Sequence, residues 1–277
     1  MSVAERIGSW GRLLGSELRL VLGRRRNQAG LLVLAAIPVL ITISLRATDS
    51  PEAHGPDFFS SMTSNGFFVA LAALSVELTL FLPLAVAVLA GDAIAGEANL
   101  GTLRYLLTVP VPRARLLAVK YVAIVIGALV GVSLVALTGV VAGGIAFGLG
   151  PLTTLSGVEI GMGAAALRLL GAVGYITAGL AALGAIGLFI STLTEQPIVA
   201  MISTTAVATL MWIVEAIPQL DVLHPWLLVH RWQAFGDLFR QPVFTDEIVA
   251  GLAVALAYAV VFLAAAWASF ARRDVTS

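Results

Sequence analysis

The sequence predicts an all-α polytopic membrane protein, one transmembrane domain of six helices over residues 1–277. Three observations predict it. First, 59% of the residues are hydrophobic and only 12% are charged, whereas soluble domains carry roughly a quarter charged residues. Second, the mean hydropathy is +0.99, and the apolar residues fall in long runs of the length that crosses a hydrocarbon core about 30 Å thick. Third, the charges are segregated between those runs, so the formal net charge of +0 carries no information about partners. The absence of cysteine excludes disulfides and thiolate metal sites. A cleaved leader is not expected, because the first apolar run begins only after residue 28, behind an Arg-rich segment.

The first element is not a span. Val3, Ile7, Trp10, Leu14, Leu18 and Val21 recur every three or four residues, with Arg6, Arg12, Ser16 and Arg19 on other faces. This pattern predicts an amphipathic helix within residues 1–26, lying on the membrane surface with its arginines toward anionic lipid. Six spans follow, at 29–45, 66–90, 116–148, 169–193, 197–217 and 248–270. The first is short and contains Pro38; the second contains Pro83, which predicts a kink. The third exceeds one crossing, so it tilts or projects. It also carries glycines four apart, at Gly127 and Gly131, Gly139 and Gly143, and Gly144 and Gly148. Small residues at that spacing let helix backbones approach closely, whether inside the chain or at a dimer seam.

The links between spans differ in kind. Twelve Lys and Arg residues fall in the N-terminus, the 91–120 elbow and the C-terminus, against four (Arg46, Arg168, Arg231 and Arg240) in the opposite set. The positive-inside rule then places both termini and the elbow in the cytoplasm, in a multi-pass protein of the cell membrane, expected to be a bacterial plasma membrane. Residues 46–65 read as a polar outer loop. Residues 218–247 mix Trp226, Leu227, Leu228, Trp232, Phe235, Leu238 and Phe239 with His224, His230, Arg231 and Asp237. That mixture predicts one or two short helices dipping into the outer leaflet.

Candidate chemistry is sparse. A phosphate-binding P-loop needs a Gly-Lys-Ser/Thr end, and the chain's single lysine, Lys120, is followed by Tyr121. ATP hydrolysis, if it drives this protein, belongs to another subunit. The three histidines, His54, His224 and His230, show no zinc spacing and read as interfacial anchors rather than metal ligands. No catalytic residue and no nucleic-acid partner is expected. Glu77 lies near the middle of the second span, where a carboxylate is costly and is a functional candidate by default. Either it lines a substrate path or it is hydrogen-bonded to a neighbouring helix. Glu215, near the outer end of the fifth span, is the weaker candidate.

The elbow itself reads "GEANLGTLRYLLTVPVPRARLLAVKY". Glu97, Gly101, Thr102, Leu103, Leu106, Leu107, Pro110, Arg113 and Lys120 stand in the order found after the second span of type-2 ATP-binding-cassette (ABC) exporter permeases, a family this chain resembles. The resemblance implies a cytoplasmic coupling segment over 91–115 that docks on an ATPase subunit. Residues 97–110 make the contact, with Glu97, Gly101, Thr102, Leu103, Arg104, Tyr105, Leu107, Pro110 and Arg113 as its site. Glu97 would pair with a basic group of the partner, or with Arg104 or Arg113. It further implies two ATPase copies holding ATP and Mg, a second permease chain (identical or related), and no cofactor in this chain. A cavity between permeases would use the second and fifth spans, near Glu77 and Glu215. Apolar spans fit a drug, lipid or peptide better than a highly charged solute, with ions left open, and export rather than import is what the resemblance implies. The rival classes are an ion- or proton-coupled secondary transporter using Glu77, for which no internal repeat is found, and a non-transporting membrane scaffold.

Overall fold

A computed structural model describes residues 3–48, 65–99, 101 and 112–272. Helix α1 covers Val3–Gly23 and α2 covers Arg25–Thr48, meeting at a break on Arg24. The next two are α3, Gly66–Thr79, and α4, Phe81–Asn99. Helix α5 covers Arg113–Phe147, and a two-stranded hairpin follows, β1 at Leu152–Thr153 and β2 at Glu159–Ile160. Helix α6 runs over Met162–Leu193 and α7 over Pro197–Glu215. Three short 3-10 turns, Pro218–Leu220, His224–Trp226 and Trp232–Phe239, lead to α8, Asp246–Arg272. Six of these helices (α2, α4, α5, α6, α7 and α8) are long and apolar enough to cross a membrane.

The second span is two helices rather than one kinked rod. Pro83 has no N–H to give the Thr79 carbonyl, so the ladder fails one turn before it. The break sits on Leu80, whose φ of −140° leaves the helical region, while its N–H still reaches the Glu77 carbonyl at 3.3 Å. Helicity resumes with Leu84 N–H to Leu80 O at 3.0 Å. The break therefore lies three residues upstream of the proline. Helix α4 then continues to Asn99, past the expected end of the span at 90.

The glycines of α5 pack inside the chain. A β-carbon on Gly139 would stand 2.5 Å from Ala70 Cα, and one on Gly143 would stand 2.7 Å from Gly66 Cα. Helix α3 thus lies against α5 with almost nothing between the backbones. This answers the choice between internal packing and a dimer seam for these positions. Asn65 fixes the end of that contact: its Oδ1 accepts from Phe67 N–H at 3.0 Å, and its Nδ2 donates to the Gly150 and Pro151 carbonyls.

Helix α6 is the axis of the bundle. About 67% of its most apolar window is buried inside the protein, against 22% for α7, 17% for α2 and 6% for α8. It packs on α4, α5, α7 and α8. The hairpin at its head was not anticipated from the sequence. It is closed by Gly157 at φ +77° and by Thr154 N–H to Val158 O at 2.9 Å.

The 218–247 segment folds as short helical turns, and several of its aromatic side chains face the bundle. Trp232, Phe235 and Phe239 are buried in the bundle, with Trp232 edge-on to Trp212 at 6.2 Å. Tyr175 donates to the Arg231 carbonyl at 2.6 Å, and Leu155 N–H to Phe239 O at 2.9 Å ties in the hairpin. The apolar load is mostly core; Trp226 and Phe244 are the large aromatics of the segment that face outward among the described residues. His224 donates to the Val214 carbonyl at 3.1 Å, and His230 Nδ1 stands 2.7 Å from Glu215 Oε1. Both histidines therefore anchor the segment to α7.

Candidate functional site

The polar side chains of one end of the bundle converge where α4 leaves it and α5 enters it. Gly101, at φ +68°, turns the chain after α4, with its N–H on the Ala98 carbonyl at 3.0 Å. Pro112 caps α5, and its carbonyl accepts from Arg115 N–H at 2.8 Å and Leu116 N–H at 3.2 Å. Thr102, Leu103, Arg104, Tyr105, Leu107 and Pro110 lie outside the described residues, as does most of the 97–110 contact.

At the base of that segment is a buried charge cluster. Lys120, on the first turns of α5, is 3% exposed. Its Nζ donates to Glu17 Oε1 on α1 at 2.7 Å and to Glu97 Oε1 on α4 at 3.1 Å. Burying a lone ammonium costs several kcal/mol, so Lys120 is tolerable at this depth because both carboxylates face it. Glu97 thus has a partner that the sequence had not proposed. Three helices far apart in the chain share one charge.

Two further ties surround the cluster. Asp92 accepts from the guanidinium groups of Arg24 and Arg26 at the α1–α2 break. The same break is capped by Asn27 Nδ2 on the Val21 carbonyl at 2.7 Å and Gln28 Nε2 on the Leu22 carbonyl at 3.2 Å, carbonyls at a helix end that otherwise lack partners. On the other flank, Arg113 donates to the Phe270 and Ala271 carbonyls at 3.1 and 2.8 Å, at the C-terminal end of α8. Its guanidinium there meets the negative end of a helix dipole.

Ser191, fully buried on α6, locks α4 from behind. Its hydroxyl donates to Gly91 O at 2.9 Å and accepts from the Ile94 and Ala95 N–H groups at 3.1 and 2.9 Å. Neither Ser191 nor Asp92 nor Glu17 is singled out by the sequence. Each is an ordinary polar residue until the fold supplies its partner.

The two carboxylates proposed for a path occupy different surroundings. Glu77 is fully buried on α3, and neither carboxylate oxygen has a hydrogen-bond partner among the described residues. Glu215 closes α7 beside His230, with its Oε2 buried. Among the described residues no group of three or more His, Asp or Glu side chains is gathered that could hold a metal ion.

These features define a class: a polytopic membrane protein whose helices are tied at one end around the entry and exit of a polar segment. The sequence profile described as "ABC-2 family transporter protein" matches residues 23–211, well over half of the chain. The chain belongs to that family and is an ABC-2 type permease, a transmembrane subunit of an ABC transporter. No curated protein matches it.

Proposed function

We propose that this permease is driven by separate ATPase subunits acting on residues 97–110, and that it exports a hydrophobic or amphipathic substrate such as a drug, lipid or peptide. The observation that carries the reading is the Lys120 cluster. Glu97, where the segment begins, is bonded through Lys120 to α1 and α5, and Arg113, where the segment ends, is bonded to the end of α8. A push on 97–110 reaches four helices at once through short, charge-assisted bonds. That arrangement suits a rigid transmission element better than a solvated loop.

The full assembly proposed is two permease chains, identical or related, with two ATPases holding ATP and Mg. Both termini and the 97–110 segment face the cytoplasm, as the distribution of arginines supports. Closure of the ATPases would switch a cavity between the permeases from inward to outward access. Glu77 is proposed for the path: it stands one turn before the Leu80 break and, among the described residues, lacks the helix-to-helix hydrogen bond that a purely structural carboxylate would make. Glu215 is assigned to the outer end of the path, beneath the 218–247 segment.

The test is co-purification of the chain with an ATPase, followed by charge reversal in Glu97→Lys and Arg104→Glu. The expected result is loss of ATPase stimulation by about tenfold, the ratio given by about 1.4 kcal/mol of lost docking energy. Unchanged assembly and stimulation would remove the coupling role. Transport that persists without any ATPase would instead favour an ion-coupled carrier. For Glu77, the measurement is transport by Glu77→Gln; an unaltered rate removes it from the path.

A further inference from the structure

We infer that the groove between α2, α4 and α5 is a binding site for an anionic glycerophospholipid of the leaflet on the arginine-rich side. The inference rests on the membrane fold alone and holds whatever the chain transports. The groove has a volume of about 310 Å³ and an almost wholly apolar wall, which includes Leu31, Leu34, Leu82, Leu89, Gly127 and Gly131. Gly30 opens it: nothing stands within 4 Å of the place where a β-carbon would be. Along α2 it extends from Arg26 to Leu34, roughly 12 Å at 1.5 Å per residue, which matches the depth of one leaflet of a hydrocarbon core about 30 Å thick. A groove of that length, running from the polar end of a span to its middle, has the shape of an acyl chain.

The mouth specifies the headgroup. Arg26 lines the polar end of the groove, Arg24 and Arg25 precede it in the chain, and Asp92 is bonded to Arg24 and Arg26. Three cations to one anion leave an excess of positive charge, with Arg25 exposed. Glu17 and Glu97, the other acids nearby, are turned to Lys120. Clustered arginines at this depth recruit phosphate through paired N–H donors. Asn27 lines the same groove; its Nδ2 is used by the Val21 carbonyl, while its Oδ1 is buried with no partner among the described residues. A glycerol or headgroup hydroxyl would satisfy that acceptor. Arginines for the phosphate, an acceptor for a hydroxyl and an apolar slot for the chain are the three parts such a lipid requires.

The experiment is native mass spectrometry of the full chain, released from detergent containing equimolar phosphatidylglycerol and phosphatidylcholine with matched acyl chains. The wild-type chain is expected to retain phosphatidylglycerol about tenfold over phosphatidylcholine. Gly30→Leu fills the groove at an uncrowded position, and Arg25→Gln with Arg26→Gln removes the headgroup donors; each is expected to bring the two lipids to parity. Equal retention by the wild-type chain overturns the proposal, as does a Gly30→Leu chain that still prefers phosphatidylglycerol. If only the arginine variant loses the preference, the lipid binds a basic surface and the groove is not its site. If Gly30→Leu does not fold, judged by its melting midpoint in detergent, Val33→Trp at an exposed position of the same groove decides by the same two readings.

Discussion

Lys120 holds the arginine-rich end together, and its energetics are asymmetric. Removing the ammonium leaves Glu17 and Glu97, 15% and 12% exposed, facing each other without a counter-charge. Breaking a buried ion pair from one side costs about 3–5 kcal/mol, whereas exchanging all partners for apolar or neutral groups is often close to neutral. Lys120→Met is therefore expected to destabilise the purified protein by that amount, read as a lower unfolding midpoint in a denaturing-detergent titration. Adding Glu17→Gln and Glu97→Gln to it is expected to recover most of the loss. Ser191→Ala, which strips a fully buried hydroxyl from Gly91 O and two N–H groups, is expected to cost about 1–3 kcal/mol in the same assay. The lone lysine is conspicuous in the sequence, where it excludes a P-loop, adds to the basic elbow and closes the family motif, but shows no carboxylate partner. Its partner Glu17 is 103 residues away, and no periodicity or spacing rule reaches that far.

At the scale of elements, the legible features were those with local causes. Hydropathy located five of the six spans closely, because a crossing needs length and composition that few other structures need, and the run read as the second span is divided between α3 and α4. Span ends were less legible: α2 and α6 begin at Arg25 and Met162, ahead of the apolar runs, since a helix continues into polar residues that hydropathy discards. Pro83 announced a disturbance, but its missing N–H acts on the carbonyl one turn earlier, so the break falls on Leu80. The α3–α5 contact gives this scale its prediction. Gly139→Val would drive a side chain into the Ala70 backbone, which cannot rotate away, and overpacking of this kind costs typically about 1–3 kcal/mol. Gly174→Ala on α6 meets nothing within 4 Å and is expected to be neutral or to stabilise by up to about 1 kcal/mol through helix propensity. Comparing the two melting midpoints separates crowding from propensity.

For the whole molecule, the sequence made plain that the protein sits in lipid and where its polar elbow lies. It did not reveal which helix is central. All six spans are strongly apolar, so hydropathy does not distinguish α6 at the axis from α8 at the margin; packing does. Coupling through 97–110 likewise requires that its end of the bundle face the ATPase. The ties of Lys120, Asp92, Ser191 and Arg113 gather at one end, and those of Asn65, Glu215 and His230 at the other. We propose that the Lys120 end meets the cytoplasm, on the balance of twelve basic residues against four. Because the chain has no cysteine, single introduced thiols report this directly. Val222→Cys, at a residue 79% exposed before α8, is expected to react with a membrane-impermeant maleimide on intact cells. Glu195→Cys, in the exposed link between α6 and α7, is expected to react only after permeabilisation. The reverse pattern would turn Glu97 and its cluster away from the cytoplasm, and no ATPase there could push on them.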